Sequence, residues 1–148
     1  MAGSKKNDFE NAILLCIFNN TTVAGIGSDG LRGSTTAGSF YVALFKTVAP
    51  SDSVQGTELA YTGYARVAVA RTVGGWTVSG NNASNAAAVT FGICTGAAPE
   101  TAISFAVCKA STIGVDDAIY WADLNDPLVI NVGITPIFNI GELDVNED

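Results

Sequence analysis

Apolar residues recur with the period of an α-helix close to the N-terminus. One apolar stripe comprises Phe9, Ala12, Ile13, Cys16 and Ile17. This spacing puts side chains on a single helix face, and other apolar residues cover most of the remaining sides. We expect Asn7 or Asp8 to cap the helix and Asn19–Asn20 to end it, because Asn caps helices and accepts left-handed backbone. A helix of about ten residues is marginal alone in water, so it must dock onto other structure.

From Ser39 onward, the pattern changes to short apolar runs separated by turn residues. We predict strands in SFYVALFKTV, GYARVAVAR, WTVSG, AAAVTFGIC, AISFAVCKAST, AIYWADL, LVINVGI and PIFNIGELDV. The Gly-Gly pair in VGGW predicts a hairpin, and NNASN and NDP predict turns. Strands recurring about every 10–14 positions are typical of an all-β fold. The predicted fold is therefore an antiparallel β-sandwich, jelly-roll or Ig-like, with one short N-terminal helix.

Between the helix and the first strand, residues 19–38 are rich in Gly, Ser, Thr and Asn. Loops this long within compact domains are usually functional or mobile. With 148 residues, the chain has the size of one domain. We divide it into an N-terminal part, 1–38, with an arm, the helix and the loop, and a β-sandwich domain, 39–148.

One charged residue, Arg66, interrupts the apolar stretch YTGYARVAVA. Strand alternation puts Tyr64 and Arg66 on one face and Val67 and Val69 on the other. With the valine face in the core, Arg66 lies on the outer face beside Tyr64. Two interpretations stay open there. Arg66 is solvated with its stem covering Tyr64, or it forms an ion pair across a subunit boundary.

The composition is unusually poor in charge. Charged residues make up 14% of the chain and hydrophobic residues 48%, whereas about 25% of an average protein is charged. This favours a surface partly covered by other chains over a monomer with a neutral polar surface. The net charge is −7 and the basic residues are dispersed, so we expect no nucleic-acid partner.

The cysteines and the apolar runs indicate the cellular setting. Cys16, Cys94 and Cys108 lie in apolar runs without metal-site spacing, which predicts buried free thiols and assembly in a reducing cytoplasm. The apolar stretch 12–18 is too short to span a bilayer and has no signal-peptide cleavage site. We therefore expect no membrane partner.

The search for catalytic chemistry gives weak candidates. The sequence has no His, which rules out Ser-His-Asp and Cys-His constellations. Turn aspartates between Asp116 and Asp126 lack the spacing of a calcium loop, and GIGSDG at Gly25 lacks a Rossmann context. A glycosidase carboxylate pair is the remaining alternative, disfavoured by the scarcity of aromatic sugar platforms. We expect no enzyme, no catalytic residue, no metal site and no cofactor.

The order of these segments is similar to that of a family of small tailed-bacteriophage virion proteins. The most specific phrases are YTGYARVAV (61–69), AAVTF (87–91) and GITPIF (133–138), the last followed by Gly, Leu and Val up to position 145. The resemblance covers about residues 8–146. Members are labelled tail-fibre proteins or head decoration (cement) proteins. In members, the link between the helix and the first strand is shorter than the segment 19–38.

The resemblance implies a virion protein made in the host cytoplasm, with two possible functions. The first is capsid decoration by an oligomer, expected to be a homotrimer, that binds the major capsid protein and stabilises the assembled head. The alternative is a tail-fibre or tail-tip adhesion module that contacts a host receptor or other tail proteins. Loops of small residues, such as SGNNASN, lack the aromatic anchors of binding hot spots. This favours capsid decoration.

Three segments supply candidate interface residues. They are Phe9, Ile13 and Ile17 on the helix, Leu31 and Arg32 in the loop, and Tyr64 and Arg66 in the strand. For the helix, packing within the chain is the alternative to a contact with another subunit.

Overall fold

The computed structural model of the chain describes residues 5–31 and 33–147. Within them lie one helix, α1 (Asn7–Asn19), and the strands β1 (Ser39–Lys46), β2 (Thr57–Glu58), β3 (Val67–Ala70), β4 (Trp76–Ser79), β5 (Asn82–Asn85), β6 (Val89–Thr90), β7 (Glu100–Cys108), β8 (Ala118–Ile130), β9 (Ile137–Phe138) and β10 (Asp144–Asn146). Antiparallel pairing joins β1 to β2 and β7, β7 to β8, β5 to β4 and β10, and β6 to β9. The predicted all-β class with a single short N-terminal helix is confirmed.

The chain forms two compact units, which we call unit 1 and unit 2. Unit 1 comprises the described residues within Met1–Ser39, Ala70–Ala88 and Asn139–Asp148. Unit 2 comprises Phe40–Val69 and Val89–Phe138. The boundary predicted after residue 38 stays a prediction.

In unit 1, α1 packs on a three-stranded sheet with the order β10-β5-β4. The rings of Phe18 and Trp76 meet with their centroids 4.7 Å apart, and both side chains are fully buried. The helix ends at Asn20, whose φ of 57° is left-handed as predicted. Its N-cap is Lys6, which has no capping side-chain hydrogen bond. The predicted cap at Asn7 or Asp8 is therefore wrong.

The side of α1 that unit 1 buries differs from the predicted stripe. The buried residues are Glu10, Leu14, Cys16 and Phe18. Positions 10, 14 and 18 follow the i, i+4 spacing of one helix side, and Phe18 on this side meets Trp76 of the sheet. Because the helix is apolar almost all round, its sequence fits two stripes and does not decide between them.

The polar segment NNASN, predicted as a turn, forms β5, the central strand of that sheet. Asn85 is fully buried there, and its side chain bonds to Ala87 O, Asn139 O and Leu143 N at 2.8–2.9 Å. The predicted VGGW hairpin is wrong, because β4 pairs with β5 and not with β3. The tight connection is instead Gly80–Asn81, where Gly80 has a φ of 61°.

In unit 2, the main sheet has the order β2-β1-β7-β8, and β3 also pairs with β1. Its central register sets Ala43 of β1 opposite Ala106 of β7. Phe45 and Cys108 are buried in the same core cluster. The other face of the main sheet, where Leu44 of β1 lies opposite Phe105 of β7, is covered by the two-stranded sheet β6-β9, since the ring of Phe138 lies 6.0 Å from that of Phe105. Unit 2 thus has a sandwich-like core between two sheets.

The edge strand β8 corrects another expectation. The NDP signal predicts a turn between two strands, but β8 runs unbroken through it. Ala102 pairs with Leu128 and Ser104 pairs with Asp123, so residues 124–127 lie opposite the single residue Ile103. The turn residues therefore form a large bulge, which accommodates Pro127 because proline has no backbone N–H for the ladder.

Candidate functional site

The described interface residues predicted in unit 1 lie in two environments. Phe9 and Leu31 are exposed, with 40% and 43% of their surfaces accessible. Ile13 and Ile17 are half-buried on α1, and Arg32 lies outside the described residues. The thiol of Cys16 on α1 reaches Leu31 O at 3.9 Å, which brings part of the loop against the helix. An interface role for this set stays a prediction.

The other two predicted residues, Tyr64 and Arg66 of unit 2, are buried, with 9% and 7% of their surfaces accessible. The expected outer-face position of Arg66 is therefore wrong. Strand β3 begins only at Val67, so the alternation that puts Val69 inside does not extend back through residues 64–66. The interface role predicted for these two residues is not tested directly, but neither offers an accessible side chain.

Arg66 is the centre of a buried ionic cluster within unit 2. Its Nε and Nη2 donate to the two carboxylate oxygens of Glu58 at 2.9 and 3.0 Å. Its Nη1 donates to Asp117 at 2.7 Å and to the carbonyl of Ala110 at 2.8 Å, and Nη2 also donates to Val115 O at 3.2 Å. The five N–H groups of the guanidinium therefore all have acceptors.

The cluster fixes the connection between β7 and β8. Besides the two carbonyls bonded to Arg66, the backbone N–H of Gly114 donates to Glu58 at 2.8 Å. The N–H of Ala110 donates to Asp117 at 2.6 Å. The guanidinium and the two carboxylates are hydrogen-bonded to one another and to the backbone. The cluster therefore directs none of its polar groups at a substrate. Its physical effect is to hold residues 110–117 against the segment 58–66.

Burial and pairing also set the proton affinities in this region. Burial alone would lower the pKa of Arg66, but its hydrogen bonds to Glu58 and Asp117 outweigh burial and raise the pKa. Burial raises the pKa of the neighbouring Cys108 thiol to about 12. Burial also raises the pKa of Tyr64, whose hydroxyl donates to Glu58 at 2.9 Å and accepts from Leu44 N at 3.0 Å. These groups keep their protons at neutral pH.

A second feature of unit 2 is a hydrogen-bonded pair of segments, 89–95 and 132–138, which we call the apolar ribbon. It extends the β6-β9 pairing, in which Thr90 lies opposite Ile137. Three further backbone bonds continue it: Phe91 N to Pro136 O, Cys94 N to Ile134 O and Gly133 N to Cys94 O, at 2.8–2.9 Å. The bond to Ile134 O brings Ile134 beside the Ile93–Cys94 step.

Two glycines allow the ribbon to pack closely against the Tyr61–Tyr64 turn. A Cβ on Gly92 would lie 1.9 Å from Gly63 O, and a Cβ on Gly63 would lie 2.2 Å from Ile93 O. The hydroxyl of Tyr61 donates to Gly92 O at 2.8 Å, and burial raises the pKa of Tyr61 to about 12. Only residues without a side chain allow this backbone approach. The ribbon is therefore held closely by its neighbours within unit 2.

The ribbon exposes aliphatic side chains to the outside. Four of its residues keep between 41% and 58% of their surface accessible: Ile93, Val132, Ile134 and Ile137. Neither segment contains an Asp, Glu, Lys or Arg, and the longer runs 72–99 and 127–141 also contain none. An uncharged, aliphatic and backbone-fixed surface is suited to contact with protein. It is the candidate functional surface of unit 2.

Sequence reasoning predicts strands in both ribbon segments but does not pair them or place their isoleucines outside. The phrases AAVTF and GITPIF meet in this ribbon, with part of YTGYARVAV beneath it. The signal that points to the surface is the long charge-free run on each side of it. A periodicity argument does not detect it, because the same runs fit buried strands equally well.

Other kinds of site find no support among the described residues. Within 5–31 and 33–147, no group of three or more His, Cys, Asp or Glu side chains is placed to hold a metal ion. Asp117 is buried in the Arg66 cluster, whereas Asp123 and Asp126 lie exposed on β8. The described helix is not long and apolar enough to cross a membrane.

One family of known proteins matches the chain. A family model described as Podophage GP4 fiber I protein gp80 matches residues 6–146, nearly the whole chain. No curated protein gives a significant match.

Proposed function

The chain belongs to the Podophage GP4 fiber I protein gp80 family, and from this premise we propose that it is a structural subunit of the tail fibre. Membership makes it a phage virion structural protein. The observation that carries the finer proposal is the match itself, because its description names a fibre and it spans residues 6–146. The capsid-decoration role favoured from the sequence stays a prediction, and the family description supports the fibre over it.

The geometry of unit 2 supports a structural role. A fibre subunit must keep its shape while its surface is bound by neighbouring protein. The Arg66 cluster supplies rigidity, since it fixes residues 110–117 through hydrogen bonds from a fully occupied guanidinium. The apolar ribbon supplies surface whose burial is favourable, about 25 cal/mol for each Å² of apolar area removed from water.

We further propose that the protein is not an enzyme. The carboxylates of the buried Arg66 cluster are not placed to act on a substrate, because both bind Arg66 and backbone N–H groups. The partners that this role calls for are other fibre proteins and further copies of the chain. Contact with a host receptor stays a prediction, as does contact with the major capsid protein.

Gold-labelled antibody against the protein, applied to intact virions, tests the fibre assignment. We expect label along the fibres and none on the head lattice. A stained gel of purified virions gives the copy number, which we expect to be low compared with the major capsid protein. Label distributed over the head, with hundreds of copies per virion, would overturn the fibre proposal in favour of capsid decoration.

A further inference from the structure

We propose that strand β8 binds an arginine-bearing segment of another virion protein through Trp121 and Asp123, a pair that we call the β8 site. The inference deepens the proposed function and rests on it, because a tail-fibre subunit is bound by neighbouring proteins.

The β8 site combines an aromatic ring and a carboxylate on one face of the main sheet. Strand β8 is the last strand in the order β2-β1-β7-β8. Trp121 and Asp123 are two positions apart, so they project from the same face with their Cα atoms about 6.6 Å apart. Their partners on β7 are the short residues Ala106 and Ser104. Both side chains are exposed, and Trp121 keeps 38% of its surface accessible.

The polar groups of the β8 site lack partners within the described chain. The sequence has no Lys or Arg from position 110 to 148, and the ion pairs among the described residues involve carboxylates other than Asp123. Ser104 lies directly opposite Asp123, so its side chain projects from the same sheet face. Its hydroxyl is buried and has no hydrogen-bond partner among the described residues. Since buried polar groups are normally paired, the hydrogen bonding at this place is incomplete.

A guanidinium satisfies the chemistry of the β8 site. Its planar cation stacks on an aromatic face while its N–H groups bond a carboxylate. A cation within about 6 Å of a ring centroid is attracted by the ring, so one arginine placed between Trp121 and Asp123 contacts both. The exposed Asp126 in the adjoining bulge adds negative charge on the same strand. This charge attracts a basic segment and raises its rate of association.

Charge complementarity favours a basic segment of a different protein over other occupants. A neutral saccharide would also stack on Trp121, but it gains nothing from the negative charge of the carboxylates. A second copy of the chain carries a net charge of −7, which opposes its approach to an acidic strand. Lys5, Lys46 and Arg66 of that copy are also already held in ion pairs within the chain.

The test is titration of the purified full chain with a capped peptide that carries two arginines separated by one threonine. Tryptophan fluorescence reports the β8 site, because the only other tryptophan, Trp76, is fully buried. We expect this peptide to bind at least about fivefold tighter than its citrulline counterpart, which has the same shape without the charge. Raising NaCl from about 0.05 to about 0.5 M should weaken binding.

Variants locate the contact. Asp123→Asn should weaken binding of the arginine peptide at least about threefold, and Asp123→Glu, which keeps the carboxylate, should restore most of it. Asp52→Asn is the matched control, because it removes an exposed carboxylate of unit 2 outside β8 and should leave binding unchanged. Thermal unfolding checks that each variant folds.

Three outcomes would overturn the inference. They are equal affinity for the arginine and citrulline peptides, equal weakening by Asp123→Asn and Asp52→Asn, and binding of a neutral oligosaccharide to a chain that does not bind the arginine peptide. Failure of the inference is distinct from failure of the fibre role. A chain that ignores arginine but is located on fibres by antibody loses only the β8 site, whereas label on heads removes the fibre role whatever the peptides show.

Discussion

Unit 2 has charge inside and aliphatic side chains outside, and the contrast between these two regions is instructive. Arg66, Glu58 and Asp117 are buried, yet every guanidinium N–H has an acceptor. The apolar ribbon leaves between 41% and 58% of the surface of four branched residues accessible. Polarity alone therefore does not decide what is buried. A buried charge persists when its hydrogen bonds are satisfied, and an exposed aliphatic surface is suited to contact with protein.

The comparison is tested most strongly at Arg66. Arg66→Met leaves two carboxylates buried without their cation, and we expect the free energy of unfolding to fall by about 3–5 kcal/mol. Urea denaturation measures it. Lys109→Met removes an exposed cation of unit 2 and should change stability by less than about 0.5 kcal/mol.

A triple variant sharpens the result at Arg66. Adding Glu58→Gln and Asp117→Asn to Arg66→Met removes the uncompensated charges while keeping oxygen acceptors for Gly114 and Ala110. We expect part of the lost stability to return. If the single variant lost less than about 1 kcal/mol, the view that the cluster stabilises residues 110–117 would be wrong.

The packing beneath the ribbon gives the next largest effect. In Gly92→Ala, the new Cβ would lie 1.9 Å from Gly63 O, so the backbone must move. We expect a loss of about 1–3 kcal/mol in unfolding free energy, together with weaker self-association. Gly74→Ala is the control, because its Cβ would meet nothing closer than Thr72 Oγ1 at 3.8 Å. It should be neutral, or stabilising by up to about 1 kcal/mol.

Raising the pH tests the buried side of the comparison. Burial raises the pKa of Cys108 from its ordinary value of 9.0 to about 12 in the folded chain. The unfolded chain therefore releases this proton first, and stability falls as pH rises from about 9 to about 12. For one thiol the slope is at most about 1.4 kcal/mol per pH unit. Denaturant titrations across this range should show a smaller slope for Cys108→Ala, and an equal slope would contradict the burial argument.

Salt gives the smallest expected effect and tests the exposed side. If further copies of the chain meet at the uncharged ribbon, apolar contact holds them together and their net charge opposes the contact. Raising NaCl from about 0.05 to about 0.5 M screens that repulsion, so self-association should strengthen slightly. A several-fold weakening in sedimentation would show that ion pairs, not the ribbon, join the copies.

The sequence predicts strands well where burial and alternation agree, and fails where tertiary contacts decide. Strands β1 and β7, in the middle of the main sheet, lie where SFYVALFKTV and AISFAVCKAST predict them. NNASN is polar enough to predict a turn, but Asn85 finds two partners from a distant segment, Asn139 and Leu143, and β5 forms. The NDP segment interrupts the regular pairing of β8 with β7. The interruption is a bulge and not a turn, because β7 continues beside it.

The candidate site is less predictable than the fold. Arg66 is assigned to the wrong face because strand alternation does not extend back from Val67 to position 66, and because one of its two carboxylate partners, Asp117, lies 51 positions away. The ribbon joins segments about 40 residues apart in sequence, so its exposed face depends on a pairing that periodicity does not specify. What the sequence does contain is the pair of charge-free runs, which become informative only when the strands are paired.

The bulge in β8 has a consequence for how separate copies of the protein avoid aggregation. An open sheet edge is a template on which strands of other molecules can align, and long regular edges invite amyloid-like stacking. Residues 124–127 interrupt this edge midway, Pro127 withholds a donor, and Asp123 and Asp126 repel an approaching acidic chain. These features oppose the edge-to-edge strand pairing from which fibrils grow.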